Sequence, residues 1–285
     1  MKVCGFTFIR NGIKFDFPFR EAIGSILPLC DEVVVAVGKS EDATLEAVRS
    51  LGPKVRIIET VWDESLKTGG KVLAVETDKA FRAIPDNYDW AFYIQGDEVV
   101  HEEYLPVIKK AMEDNLNNKN IDGLLFKYKH FFGSYDYVGA KYSWYRREIR
   151  VVRNNKKIYS YRDAQGFRKE DDRKLNVKLI NAWIYHYGWV RTPKAMQEKI
   201  NSNRKLYDGG SSGEITYEYN EAHEPVVKFE GTHPALMLDR IEQKNWNFAP
   251  NPGLQYASKK DWLKRQVAAL TGWMPGEYKN YKIVK

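Results

Sequence analysis

Cysteine is almost missing from this chain of 285 residues, which holds only Cys4 and Cys30, each in an apolar run. Two free buried thiols are therefore expected in place of a disulfide, the habit of a cytoplasmic protein. No apolar run approaches the roughly 20 residues that a membrane-spanning helix needs. The opening "MKVCGFTFIRNG" lacks the long apolar core of a secretion signal and alternates like a first strand. Internal repeats, low-complexity tracts, nucleic-acid-binding modules and long basic arms are all missing. These absences predict a globular, cytoplasmic chain with no transmembrane segment and no nucleic-acid partner. Peripheral membrane contact stays open.

What is present is a sequence with 43% hydrophobic and 14% aromatic residues, enough to bury a substantial core. Lys and Arg number 45 against 38 Asp and Glu, a net charge of +7. That excess favours an anionic partner such as a phosphorylated small molecule, although a solvated basic face would give the same count. The densest basic stretch, "YRREIRVVRNNKK" (145–157), shows no clean alternation and reads as a partly buried strand with a charged exit.

The first half alternates strands and helices. "KVCGFTFI" (2–9), "EVVVAV" (32–37), "KVRIIETV" (54–61) and "WAFYI" (90–94) read as buried strands. Between them, "FPFREAIGSILPL", "ATLEAVRSL" and "VLAVETDKAFRAI" have helical spacing, with Ser40 and Asp42 offered as N-caps to the second. Such alternation predicts βαβ units and a parallel sheet covered on both faces. Ligands of open parallel sheets bind beyond the carboxyl ends of the strands. That rule gathers Arg10-Asn11, Gly38 to Thr44, Gly69-Gly70-Lys71 and Gln95 to Glu98 on one edge. Gly96 allows close backbone approach there, and Asp97 can hold a hard divalent cation, or else cap the helix that follows.

Taken in order, these segments resemble the nucleotide-sugar-binding half of a GT-A glycosyltransferase, similar to the family 2 enzymes, over about residues 1–190. Arg10-Asn11 matches the polar turn after the first strand. "VGKSEDATLEAV" matches in part a "DDGSTDGT"-like loop through Ser40, Asp42 and Thr44, with Val37-Gly38 where relatives carry a base-reading Asp. Gly70-Lys71 matches a "GK" segment, and Gln95-Gly96-Asp97 matches a D-x-D motif whose first Asp has become Gln. The resemblance implies an α/β fold of GT-A type, with a Rossmann-like, mostly parallel central sheet flanked by helices. It implies that Arg10, Asn11, Ser40, Asp42, Lys71, Gln95 and Arg191 bind a nucleotide-sugar donor. It also implies that Asp97, with a late His at His186 in "HYGWVR", holds Mn2+ or Mg2+ against the diphosphate. Lys71 has an equally ordinary reading as an exposed helix-start lysine, and His186 as a structural histidine.

Inverting transfer needs a base between the D-x-D strand and the late His. In "YSYRDAQGFRKEDDRKL", Asp163 has the quieter setting, whereas Glu170, Asp171 and Asp172 lie in a charged, solvated run; Glu148 is the reserve. His101, His130 and His223 read as structural or surface groups, and His233 as part of a turn before a helix. The aromatic segment 128–145 suits either an acceptor platform or ordinary packing. Residues 191–285 read as a helical appendage, with helices at "PKAMQEKINSNRKLYDG" and "KKDWLKRQVAALTGW", that completes or caps the acceptor site. The expected activity is transfer of a sugar to a glycan, lipid-linked or other hydroxyl acceptor. The rivals are a nucleotidyltransferase, disfavoured by the lack of a Gly-rich loop in "FIRNGIKFD", and a non-catalytic nucleotide- or glycan-binding protein.

Overall fold

The computed structural model describes every residue except 64, 67, 142, 208–215, 220–223, 251–258, 272–275 and 285, and omits the side chains of 261, 265 and 269. His223 and the Gly-Gly-Ser-Ser-Gly stop at 209–213 lie outside the described residues.

Val3–Ile9 (β1) is buried at every position but Phe8, as a strand with neighbours on both sides and helices on both faces must be. Glu32–Gly38 (β2) joins it in parallel from Cys4↔Glu32 to Ile9↔Val37, and Val55–Thr60 (β3) extends that edge in parallel. Trp90–Tyr93 (β4) pairs with the other side of β1, also in parallel. The connecting helices are Phe19–Ile26 (α1), Thr44–Arg49 (α2) and Lys71–Arg82 (α3). The period-two geometry of β2 divides the core between them. Val33, Val35 and Val37 pack in one cluster with α1 and α2, while Val34 and Ala36 pack in another with Ala80 and Phe81 of α3.

The second half continues the sheet. Glu98–Val100 (β5) is followed by a short 3-10 turn and Leu105–Asp114 (α4). Next come Gly123–Phe132 (β6), Ser134–Gly139 (β7) and Arg147–Arg153 (β8). Ile158–Tyr161 (β9), Gly166–Lys169 (β10) and Arg173–Lys174 (β11) form a separate three-stranded sheet. Asn176–Trp189 (β12) returns to the main sheet, parallel to β6. The main sheet runs β7-β6-β8-β4-β1-β2-β3, with β8 antiparallel to both β4 and β6. The architecture is the expected α/β fold, with a Rossmann-like central sheet flanked by helices.

Strand β8 shows why its sequence had no alternation. Arg150 is wholly buried and gives two bonds of 2.7 Å, from Nε to Glu98 Oε2 and from Nη2 to Glu98 Oε1. Tyr128 donates its hydroxyl to the same Glu98 Oε1 at 2.9 Å. A fork-to-fork pair with its remaining lone pair satisfied is the arrangement in which buried charge is tolerated. Glu98 is thus a core residue, and its neighbour Asp97 is left to face the sheet edge.

The residues after 191 carry Pro193–Tyr207 (α5), Leu238–Glu242 (α6) and Lys259–Thr271 (α7). Two strands also stitch this part into the main sheet: Val226–Lys228 (β13) pairs with β7, and Lys282–Ile283 (β14) pairs with β12. Both cysteines are free and buried. Among the described residues no helix is long and apolar enough to cross a membrane.

Candidate active site

Asp97 and His186 meet because β5 pairs antiparallel with the end of β12, in the register His186↔Glu98. The Tyr187 amide donates to Asp97 O at 2.8 Å and locks the two segments. Asp97 Oδ2 lies 3.7 Å from His186 Nε2. Asp97 does not cap the following helix: His101 does, its Nδ1 accepting from the Glu103 amide at 3.2 Å.

The protonation of His186 follows from its partners. His130 Nε2 is 2.7 Å from the Tyr145 carbonyl, which can only accept, so that nitrogen carries the proton. Burial lowers the His130 pKa to about 3, so the ring is neutral and its Nδ1 offers a lone pair. His186 Nδ1, 3.0 Å away, must donate to it. Burial also lowers His186, to about 4, which leaves Nε2 unprotonated. A bare imidazole nitrogen and a carboxylate oxygen therefore face each other, two acceptors with a cation's worth of attraction between them. An imidazole oriented through its other N–H is the usual arrangement of a metal ligand.

Gly188 keeps the gap open. A Cβ built there would stand 2.6 Å from His186 Nε2 and 2.8 Å from Asp97 Oδ2. The space that alanine would fill is thus the space an ion bound to both ligands would use. Among the described residues no group of three or more His, Cys, Asp or Glu side chains forms a cage. A two-ligand site suits Mn2+ or Mg2+, which take further oxygens from phosphate and water. The residues present fit such an ion.

Two cations adjoin this pair. Lys199 of α5 places Nζ 3.5 Å from Asp97 Oδ2 and donates to Gly188 O at 2.7 Å. Arg191 is wholly buried, donates to Gly188 O at 3.1 Å and to Phe15 O, and lies over the Phe17 ring at 4.6 Å. Its Nε has no hydrogen-bond partner among the described residues. Burial works to raise the Asp97 carboxyl, but the cationic side chains beside it, Lys199 and Arg191, help to hold it below its ordinary value. Burial and then the Arg191 charge bring Lys199 down to about 7, against the pull of Asp97.

Asp97, Gln95 and Gly96 line a cavity of about 730 Å³, with Arg10 and Asn11 from the end of β1 and Lys199, Asn201 and Ser202 from α5. Asn11 adopts a left-handed conformation (φ 53°), which its side chain tolerates better than most. It receives the Glu41 amide at 2.8 Å on Oδ1 and gives its own amide to Ser40 Oγ at 3.0 Å. Asp42 spends one oxygen on the Thr44 amide at 3.0 Å and the other on the Lys14 amide at 2.7 Å. Ser40 and Asp42 thus shape the loop behind the cavity wall and do not line it. Trp62 fills the space beside Gly38, and its ring carries the Arg10 guanidinium at 5.3 Å. Lys71 opens α3, exposed and outside the cavity lining.

Asp163 sits in a turn whose flanks, Arg162 and Ala164, both have positive φ (58° and 64°). Two non-glycine residues in that region store strain that the surroundings must hold. Gln95 Nε2 provides one tie, donating to Ala164 O at 3.2 Å. Gly70, left-handed at φ 68°, comes so close that a Cβ there would meet Asp163 Cβ at 2.9 Å. Tyr207, at the end of α5, donates its hydroxyl to Asp163 Oδ2 at 2.9 Å. The Gly69-Gly70 loop, α5 and Asp163 therefore converge, although Asp163 does not line the cavity.

Glu148, the reserve base, is 3% exposed, and its Oε2 has no hydrogen-bond partner among the described residues. Burial pushes its pKa up to about 8, so it keeps its proton at neutral pH and is poorly suited to accept another. The folded state thus binds a proton that the unfolded chain releases above about pH 4.5, and stability falls as pH rises toward 8. Glu148→Gln removes that slope. Its melting temperature should match the wild type near pH 5 and exceed it by several degrees at pH 8; parallel pH profiles would contradict this.

Sequence reasoning missed three contributors. His130 orients His186 because β6 and β12 pair in the register His186↔His130, which a separation of 56 residues conceals. Lys199 looked like one lysine among several on a polar helix. The role of Gly188 depends on its two neighbours in space. His101 bonds Thr232 at 3.0 Å and His233 bonds Tyr187 at 2.8 Å, both structural. The aromatic segment packs internally, with Trp144 stacked on His130 at 4.8 Å.

No protein-family model matches the chain, and no curated protein shows significant similarity. Among solved structures, residues 1–349 of S. aureus TarS match at 14% identity and a TM-score of 0.42, over 75% of this chain and 67% of that one. Glucosyl-3-phosphoglycerate synthase from Mycobacterium tuberculosis, in complex with Mn2+, UDP and phosphoglyceric acid, matches at 18% identity and a TM-score of 0.32. That match covers 45% of this chain and 43% of the synthase. At these scores the likeness adds no weight to a reading of the site, which rests on the side chains themselves.

Proposed function

We propose that the chain is a cytoplasmic, metal-dependent glycosyltransferase that moves a sugar from a nucleotide-sugar donor to a hydroxyl acceptor with inversion. The observation that carries this is the Asp97 oxygen and the bare His186 nitrogen facing each other across the gap left by Gly188, beside a cavity at the carboxyl edge of β1 and β4. Asp97 and His186 would hold Mn2+ or Mg2+, and the bound ion supplies Lewis-acid charge to a departing diphosphate. Arg10, Asn11 and Trp62 border the part of the cavity suited to the nucleoside. Asp163, steadied by Tyr207, takes the proton of the acceptor hydroxyl as that oxygen bonds the anomeric carbon and the bond to diphosphate breaks.

Incubating the protein with UDP- and GDP-sugars and Mn2+ tests the reading. Release of nucleoside diphosphate supports it; tight donor binding without turnover points to a binding protein. Gly188→Ala should cost about tenfold to 100-fold in Mn2+ affinity by calorimetry while the circular dichroism spectrum is retained. Unchanged Mn2+ affinity in this variant would count against the ion site.

A further inference from the structure

Lys199 stands out at this site because its ammonium already occupies the neighbourhood of the carboxylate. It lies 3.5 Å from Asp97 Oδ2, donates to Gly188 O at 2.7 Å and sits over the rings of Phe17 and Trp189 at 5.4 and 5.7 Å. A carboxylate, a carbonyl and two aromatic faces together hold a cation in one place. The same side chain lines the 730 Å³ cavity beside Asp97.

The local arrangement sets Lys199 apart. Its side chain stands against the Asp97 carboxylate, with the buried Arg191 guanidinium behind Gly188, while the cavity lining as a whole sets Arg10, Lys14, Lys199 and Lys205 against Glu41, Asp63, Asp97 and Glu198. Gln95, two residues before Asp97, is an amide. The gap between Asp97 and His186 has a single carboxylate with which to recruit a dication, and a cation of the protein's own stands against it. Lys199 therefore offers an incoming anion a partner at this gap before any ion joins it.

We propose that Lys199 is a donor-binding residue whose ammonium bonds the diphosphate of the nucleotide donor, so that part of the diphosphate charge is held with or without a divalent ion. This rests on the nucleotide-sugar reading above. In that role Lys199 competes with a metal for Asp97 when no nucleotide is present, and assists nucleotide binding when no metal is present.

The test is a pair of titrations on the full chain, with wild type, Lys199→Met and Lys199→Arg. With Mn2+ alone, Lys199→Met should bind the ion about tenfold more tightly than wild type, because the competing charge is gone. With UDP in EDTA, the same variant should bind about tenfold or more weakly, and Lys199→Arg should recover most of the loss. A purely structural role would move both affinities the same way. If Lys199→Met does not fold, Lys199→Gln takes its place in both titrations. Wild-type protein that binds UDP with Mn2+ but not in EDTA overturns the proposal and leaves the donor reading standing. So does a Lys199→Met protein that binds UDP in EDTA as tightly as wild type. No UDP or GDP binding under either condition overturns both.

Discussion

Replacing Asp97 by Asn should reduce the affinity for UDP in the presence of Mn2+ by about 100-fold or more, the loss expected when a ligand carboxylate becomes an amide of the same shape. The size of the effect follows from how little else holds the ion. Among the described residues Asp97 and His186 stand alone as facing ligands, so removing the charged one leaves a single neutral nitrogen. The variant should fold, because the backbone bond from Tyr187 to the carbonyl of position 97 survives the change. Lys199 would then stand at the cavity wall without the Asp97 carboxylate beside it, so weak UDP binding should persist and become independent of Mn2+. Calorimetric titrations with and without EDTA measure both effects. An Asp97→Asn protein that still binds UDP in a Mn2+-dependent way would show that the ion sits elsewhere.

The second large effect is expected at Asp163. Asp163→Asn should lower turnover by about 100-fold to 10,000-fold, the usual contribution of a positioned general base, while donor affinity changes little. The separation is expected because Asp163 does not line the cavity that Asp97 borders. Tyr207→Phe should give a smaller fall in turnover, since it removes the bond that fixes the carboxylate but leaves the carboxylate in place. Steady-state kinetics on a transferred donor, set beside donor affinity from calorimetry, distinguishes the roles. Wild-type turnover by the Asp163→Asn protein would remove Asp163 from the mechanism.

Much of the first half of the fold could be read from local pattern. Buried runs such as "EVVVAV" and the helical spacing of "FPFREAIGSILPL" each specify their element with little help from the rest of the chain. The functional edge followed, because a parallel sheet presents its strand ends together: Asp97 lies in the loop between β4 and β5, and His186 lies near the carboxyl end of β12. What resisted reading depends on partners far away in sequence. Glu98 and Arg150 form their pair across a separation of 52 residues, so neither the polar turn at 95–98 nor the basic stretch at 145–157 reveals that these two charges meet in the core. His130 acquires its role from the register between two strands, and Lys199 from the way α5 lies beside Asp97. The N-cap reading of Ser40 and Asp42 foretold bonds to backbone amides, but the cap position of α2 is Ala43, and the bonds to the Asn11 and Lys14 amides come from a loop far away in sequence.

A crystal grown with Mn2+ and UDP, with anomalous scattering recorded at the manganese edge, tests the central claim most directly. The account expects one strong peak bonded to both Asp97 Oδ2 and His186 Nε2, in the space beside Gly188, with the diphosphate oxygens completing its shell. A nucleotide whose diphosphate lies away from Asp97, or a manganese peak that touches neither side chain, would contradict it.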